Sequence, residues 1–187
     1  LGLLTGIMFA VFYATLGMPM AMWADRNNRR NLISFSVFLW SLMTALCASA
    51  TNFIQLLLLR IGVGVGEAGS NPPSHSMITD LYPPERRSTA MAIFGTGINW
   101  GILIGFLVGG WINEWYGWRV AFLVVGLPGV LLALIVQLTV KEPPRGYSEA
   151  IKSEVKPPNF WTVASFMWSN PVLRHIVIAG ALVTFAG

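Results

Sequence analysis

Long apolar runs, each near the length of a bilayer-crossing helix, recur along this chain and leave it few ways to fold. They cover about 1–23, 31–50, 54–79, 89–112 and 118–140. Where no water reaches the backbone, every N–H and C=O must be satisfied within the segment, so such runs become helices. Each crossing needs roughly 20 apolar residues, and the pattern predicts five spans. The chain is 55% hydrophobic and only 11% charged, which excludes an ordinary soluble domain. The fold class expected is an all-α membrane protein.

The connections carry the punctuation. Ala24 to Arg30 is a charged loop, and Thr51-Asn52 is minimal. Leu81 to Ser88 reads as a turn, because Pro83 and Pro84 oppose a helix there. Asn113 to Gly117 is another short link. Residues 141–159 are polar and proline-rich, as a linker between bundles would be. Residues 160–187 read as an interface-lying segment, anchored by Trp161 and Trp168, followed by the start of a further span. The chain opens inside one apolar segment and stops inside another, so it is expected to be a piece of a longer protein.

Charge sets the orientation. The chain has 12 Lys and Arg and a net charge of +4. Arg26, Arg29, Arg30, Arg86, Arg87, Lys141, Arg145, Lys152, Lys156 and Arg174 fall on one side if the spans alternate, and only Arg119 on the other. That bias places the basic loops in the cytoplasm, with a bacterial cytoplasmic membrane as the expected location. It also explains the positive charge without nucleic acid. Cys47 is the single cysteine, so neither an intrachain disulfide nor a cysteine zinc site can form. No metal or cofactor is expected.

Arg60 and Glu67 are the two charges expected at membrane depth, since Arg119 stands at the very start of its run. Seven residues apart on a helix, they point almost the same way, about 10 Å apart along the axis. Ionisable groups at membrane depth are costly and face a protein interior or a wet path. Asn71, Ser74 and His75 continue the stripe, while Gly62, Gly66 and Gly69 form another face suited to close helix approach. Pro72 and Pro73 should bend or break the helix. A carboxyl such as Glu67 can load and release a proton as its water access and distance to Arg60 change. Arg60 stays charged and can hold an anionic headgroup. A structural ion pair tethering two helices is the plainer alternative, and His75 reads as a wet interfacial imidazole. A membrane-embedded enzyme would need a nucleophile with its base, a metal cluster or paired carboxylates, and the sequence offers none.

The loop Asp25-Arg26-Asn27-Asn28-Arg29-Arg30 suits either a charge-paired latch or a simple topology signal. It resembles the signature between the second and third helices of the major facilitator superfamily, with Ala21 and Asn28 at its usual glycine positions. Arg60-x-x-x-Gly64-x-Gly66 resembles the fourth-helix motif of that superfamily. Gly101-x-x-x-Gly105-Phe106-x-x-Gly109-Gly110 is similar to the fifth-helix motif, with Phe106 replacing a proline. Trp118-Arg119-x-x-Phe122 and Lys141-Glu142-Pro143-Pro144-Arg145-Gly146 are similar to the boundaries of the sixth helix. Gly64-Val65-Gly66-Glu67-Ala68 resembles the Spinster family within it. The resemblance implies a partial bundle, from the second helix to the start of the seventh, with 1–140 as an incomplete N-terminal half. It also implies a proton-coupled secondary transporter of a lipid-like or organic-anion solute, monomeric when full length. Arg60, Glu67, Asn71 and Ser74 would form its pathway, and Asp25, Arg26, Arg29 and Arg30 its conformational latch. Gly62, Gly66, Gly101, Gly105 and Gly109 would pack its helices. Sugar-acid symporters of the same superfamily share the first loop and the exit motif, and remain open.

Overall fold

The computed structural model describes residues 8–148 and 160–186. These residues are mostly helical, with no strand among them. They belong to two units, Leu1–Lys152 and Ser153–Gly187. The first unit holds α1 (Met8–Arg26), α2 (Arg29–Leu46), α3 (Phe53–Ala68), α4 (Asn71–Leu81), α5 (Pro84–Tyr116) and α6 (Trp118–Thr139). The second holds α7 (Phe160–Ser169) and α8 (Pro171–Ala186). Trp161 and Trp168 are exposed on α7. Residues 1–7 of the first expected span and 149–159 of the expected linker, with Lys152 and Lys156, lie outside the described residues.

Side-chain amides start two of the helices. Asn28 accepts a hydrogen bond from the Asn31 amide at 2.9 Å, and Asn52 does the same for Gln55 at 2.9 Å. Each satisfies a donor that the first turn would leave bare. The third apolar run is not one helix. It is interrupted at Gly69-Ser70, between α3 and α4. Pro72 and Pro73 fall at the start of α4, where a missing N–H costs nothing. The stretch from Leu81 to Ser88 is more helical than its prolines imply. Pro83 caps α5 and Pro84 opens it, because a fixed φ suits the first helical position even though it forbids later ones.

The centre of the first unit is α2, which packs most extensively on α6 and then on α3. Small polar residues make that closeness possible. Ser34, Ser36 and Ser41 are all buried, and Ser34 donates to the Ala133 carbonyl of α6 at 2.8 Å. Glycines face them. A Cβ added at Gly126 would come within 2.6 Å of the Ala45 amide nitrogen, and one at Gly66 within 2.7 Å of that of Trp40. In contrast, α5 has no buried residue. By length and composition, α2 with its extension to Ser49, α3–α4, α5 and α6 can each cross a membrane.

The contact at Gly126 is backbone against backbone, so neither side can yield by turning a side chain. In the full-length protein, Gly126→Ala should cost about 1–3 kcal/mol, whereas Leu138→Ala, at a residue 83% exposed, should cost far less. Melting temperatures of the two variants in detergent measure the difference.

Candidate functional site

One end of the first unit is held by a buried guanidinium. Arg29 opens α2 and is 1% exposed. An isolated charge in that position would be prohibitively costly, so its donors must be matched. Its Nε donates to Glu142 Oε1 at 2.8 Å, just beyond α6. One terminal nitrogen meets Asp80 and donates to Ser76 Oγ at 2.9 Å, both on α4. The other donates to the Pro143 carbonyl at 2.9 Å. Glu142 also accepts the Arg30 amide at 2.8 Å, a helix start that favours negative charge.

The segment after α6 extends this cluster into a strap. The Gly146 amide donates to Asp80 Oδ1 at 3.0 Å. Arg145 donates to the carbonyls of Ala24 at 2.6 Å and Asn27 at 2.9 Å, where α1 ends. Ser148 Oγ lies 2.9 Å from the Thr79 carbonyl, and Arg87 of α5 donates to Ser148 Oγ at 3.2 Å. Residues 142–148 thus bind the ends of α1, α2 and α4 and the start of α5.

The second constellation lies on α3. Arg60 and Glu67 are both half-buried. Among the described residues no hydrogen bond or ion pair joins them, and Glu67 does not line the cavity that Arg60 enters. Arg60 lines a cavity of about 280 Å³ together with Thr44 of α2, Gly109 and Asn113 of α5, and Trp118 and Phe122 of α6. Four helices therefore wall a space into which one cation opens. Such a space suits a small anionic or polar group.

The remaining predicted residues fall around these two places. Ser74 Oγ donates to the Ser70 carbonyl at 2.7 Å, across the α3–α4 break, and Asn71 is half-buried at the start of α4. His75 is exposed and meets the Phe94 ring edge-on at 5.4 Å. Arg29 and Arg30 enter the ion cluster, whereas Asp25 and Arg26 stand exposed outside it. A Cβ at Gly62 would strike Met43, but at Gly101, Gly105 and Gly109 no described atom lies within 4 Å. Sequence reasoning missed Asp80, Ser76 and Glu142 as the partners of Arg29. Asp80 gave a usable signal: a carboxylate in the last turn of a helix opposes the dipole and calls for a cation.

A multi-helix bundle with apolar outer faces and an ion-paired end defines an all-α, multi-pass membrane protein. The chain belongs to the Major Facilitator Superfamily, whose family model matches residues 1–187. It is similar to a solved structure described as a bacterial homolog to human lysosomal transporter, Spinster, in inward-facing and occupied conformation. The two share 45% identity with a TM-score of 0.68, over 79% of this chain and 37% of that one. It is 35% identical over 140 residues to an MFS-type efflux pump of Mycolicibacterium smegmatis, covering 75% of this chain and 33% of the relative. It is 33% identical over 147 residues to a probable galactarate/D-glucarate transporter of Bacillus subtilis, covering 74% and 32%. The chain spans about a third of the length of the curated relatives it matches.

The ion cluster makes two predictions for the full-length protein. Replacing Arg29 by Met strands two carboxylates and should cost about 3–5 kcal/mol, read as a fall in melting temperature. Glu142 gives a pH signature. Burial pushes its carboxyl up, but the Arg29 hydrogen bond, the Arg30 amide and the Arg29 charge outweigh burial and hold it below its ordinary value of 4.5. A carboxylate held low contributes stability that is complete above the ordinary value and lost as pH falls through the lowered one. The melting temperatures of wild type and Glu142→Gln should therefore differ most at neutral pH and converge under acid.

Proposed function

We propose that the full-length protein is a secondary active transporter that moves a lipid-like or organic-anion solute by alternating access, with proton coupling. Membership of the superfamily supports the class. The observation that carries the specific reading is the cavity at Arg60, walled by α2, α3, α5 and α6, with Glu67 on the same helix. Arg60 holds the anionic group of the solute, and Glu67 is the proton carrier. Asn71 and Ser74 continue the pathway beyond the α3–α4 break. Asp25, Arg26, Arg29 and Arg30 act as a latch, in which Arg29 and Arg30 grip the α4 end and the post-α6 strap. Asp25 and Arg26 remain available to a neighbouring helix end. The basic loops face the cytoplasm, which the Lys and Arg distribution supports.

A lipid-like solute is supported by the similarity to the Spinster homolog. A sugar acid is the second reading, supported by the similarity to the galactarate/D-glucarate transporter. Both present an anion to Arg60, and they differ in whether an alkyl chain accompanies it.

Proteoliposomes of the full-length protein test the mechanism. Glu67→Gln should lower pH-gradient-driven transport by at least about tenfold, the scale expected when a positioned proton-transfer group is lost. Counterflow exchange of solute should survive. Undiminished gradient-driven transport in the variant would remove Glu67 from the mechanism. A panel of lysolipids and D-glucarate separates the two solutes.

A further inference from the structure

The strap, residues 142–148, closes one end of the first unit with partners that all belong to that unit. At its centre Arg29 is 1% exposed, and the side chains of Asp80 and Glu142 are 13% and 23% exposed. The helices that carry these ions therefore already shield them. Two backbone amides depend on the same carboxylates. The Arg30 amide falls in the first turn of α2, where the helix supplies no acceptor, and Glu142 takes it. The Gly146 amide belongs to no helix, and Asp80 takes it. Further contacts hold the strap independently of Arg29. Arg145 is bound to two carbonyls at the end of α1, and Ser148 to the end of α4 and to Arg87 of α5. Asp25 and Arg26 stand exposed outside this network.

We infer that the strap is a permanent clamp, shut throughout the conformational cycle, so that the ends of α1, α2 and α4 and the start of α5 move as one block. This rests on the transport reading and divides the latch proposed there. Arg29 and Arg30 belong to its fixed part, and Asp25 and Arg26 to the part that exchanges partners. The reason is the burial of the cation. Opening the strap would leave Arg29 short of acceptors and Glu142 without its cation. Stranding a buried charge lowers the population of the open state on the order of a hundredfold or more. A cycle that passed through that state would meet this penalty at every turnover. Exposed ions carry no such penalty, because water replaces a lost partner. Exchange of partners therefore falls to Asp25 and Arg26. The contacts of Arg145 and Ser148 add to the clamp, since releasing one of them leaves the others in place.

Hydrogen exchange of the full-length protein in detergent, resolved to single amides by fragmentation mass spectrometry, tests the clamp. The Arg30 and Gly146 amides should exchange about a hundredfold or more slowly than those of an open loop, the factor set by the buried charge. Adding lysophosphatidylglycerol or D-glucarate should leave both rates unchanged, and so should Asp25→Asn. Glu142→Ala should speed exchange at Arg30. Exchange at the rate of an open loop in the wild type, or acceleration by either solute, would overturn the inference. A transport assay gives a second reading. Ser148→Cys with Thr79→Cys, joined by a short reducible thiol cross-linker, should keep most of the counterflow of the unjoined variant in proteoliposomes. Loss of counterflow that a reductant restores would show that the strap must open, and would equally overturn the clamp. Failure of the wild type to move either solute would count against the transport reading alone, because the exchange rates without solute decide the clamp by themselves.

Discussion

A guanidinium sealed from water must have its donors matched, and at Arg29 this single requirement organises one end of the bundle. Its partners come from α4 and from the peptide just after α6, two places remote in sequence. Neither carboxylate would sit there without the cation, and the cation could not sit there without them. Once they meet, the chain leaving α6 is committed to cross the helix ends, where Arg145, Gly146 and Ser148 find backbone and carboxylate partners of their own. The serine–glycine packing of α2 against α3 and α6 then fixes the interior below this end.

The chain thereby keeps two kinds of arginine. Arg29 is buried with its hydrogen-bonding capacity taken up by the protein, so it has little left to offer a ligand. Arg60 is half-buried, opens into a cavity and makes no hydrogen bond or ion pair among the described residues. The difference is one of supply. A guanidinium surrounded by fixed acceptors is part of the frame, and one facing a cavity keeps its donors unspent. In the sequence Arg29 belongs to a charged loop and Arg60 to an apolar run, which by itself would suggest the reverse assignment of burial. What separates them is the set of neighbours the fold brings.

Much of the fold was legible because bilayer physics writes it in plain lengths. Apolar runs with short polar connections anticipated helices, and the paired prolines at Pro72 and Pro73 anticipated the break, which falls a little ahead of them at Gly69-Ser70. Pro83 and Pro84 misled for the opposite reason: a proline that ends one helix can begin the next. The stripe from Arg60 to Glu67 followed from helical spacing alone. The partners of Arg29 did not, because Asp80 and Glu142 are 51 and 113 residues-of-separation contacts in the sense of chain distance. No local pattern measures such a span. Gly66 announced close packing by composition. Gly126, which approaches α2 at least as closely, sat in an apolar run with no polar neighbour to mark it.

The absence of any buried residue along α5 bears on how substitutions there are to be understood. A helix that leans on α6 and α4 without burying any residue contributes less to keeping that scaffold intact than the wedged α2 does. Damage caused by altering it therefore reports on whatever the helix touches from outside: lipid, solute or another part of the machine. Scanning the exposed positions of α5 would trace those encounters with less confusion from misfolding than the tightly wedged α2 could offer.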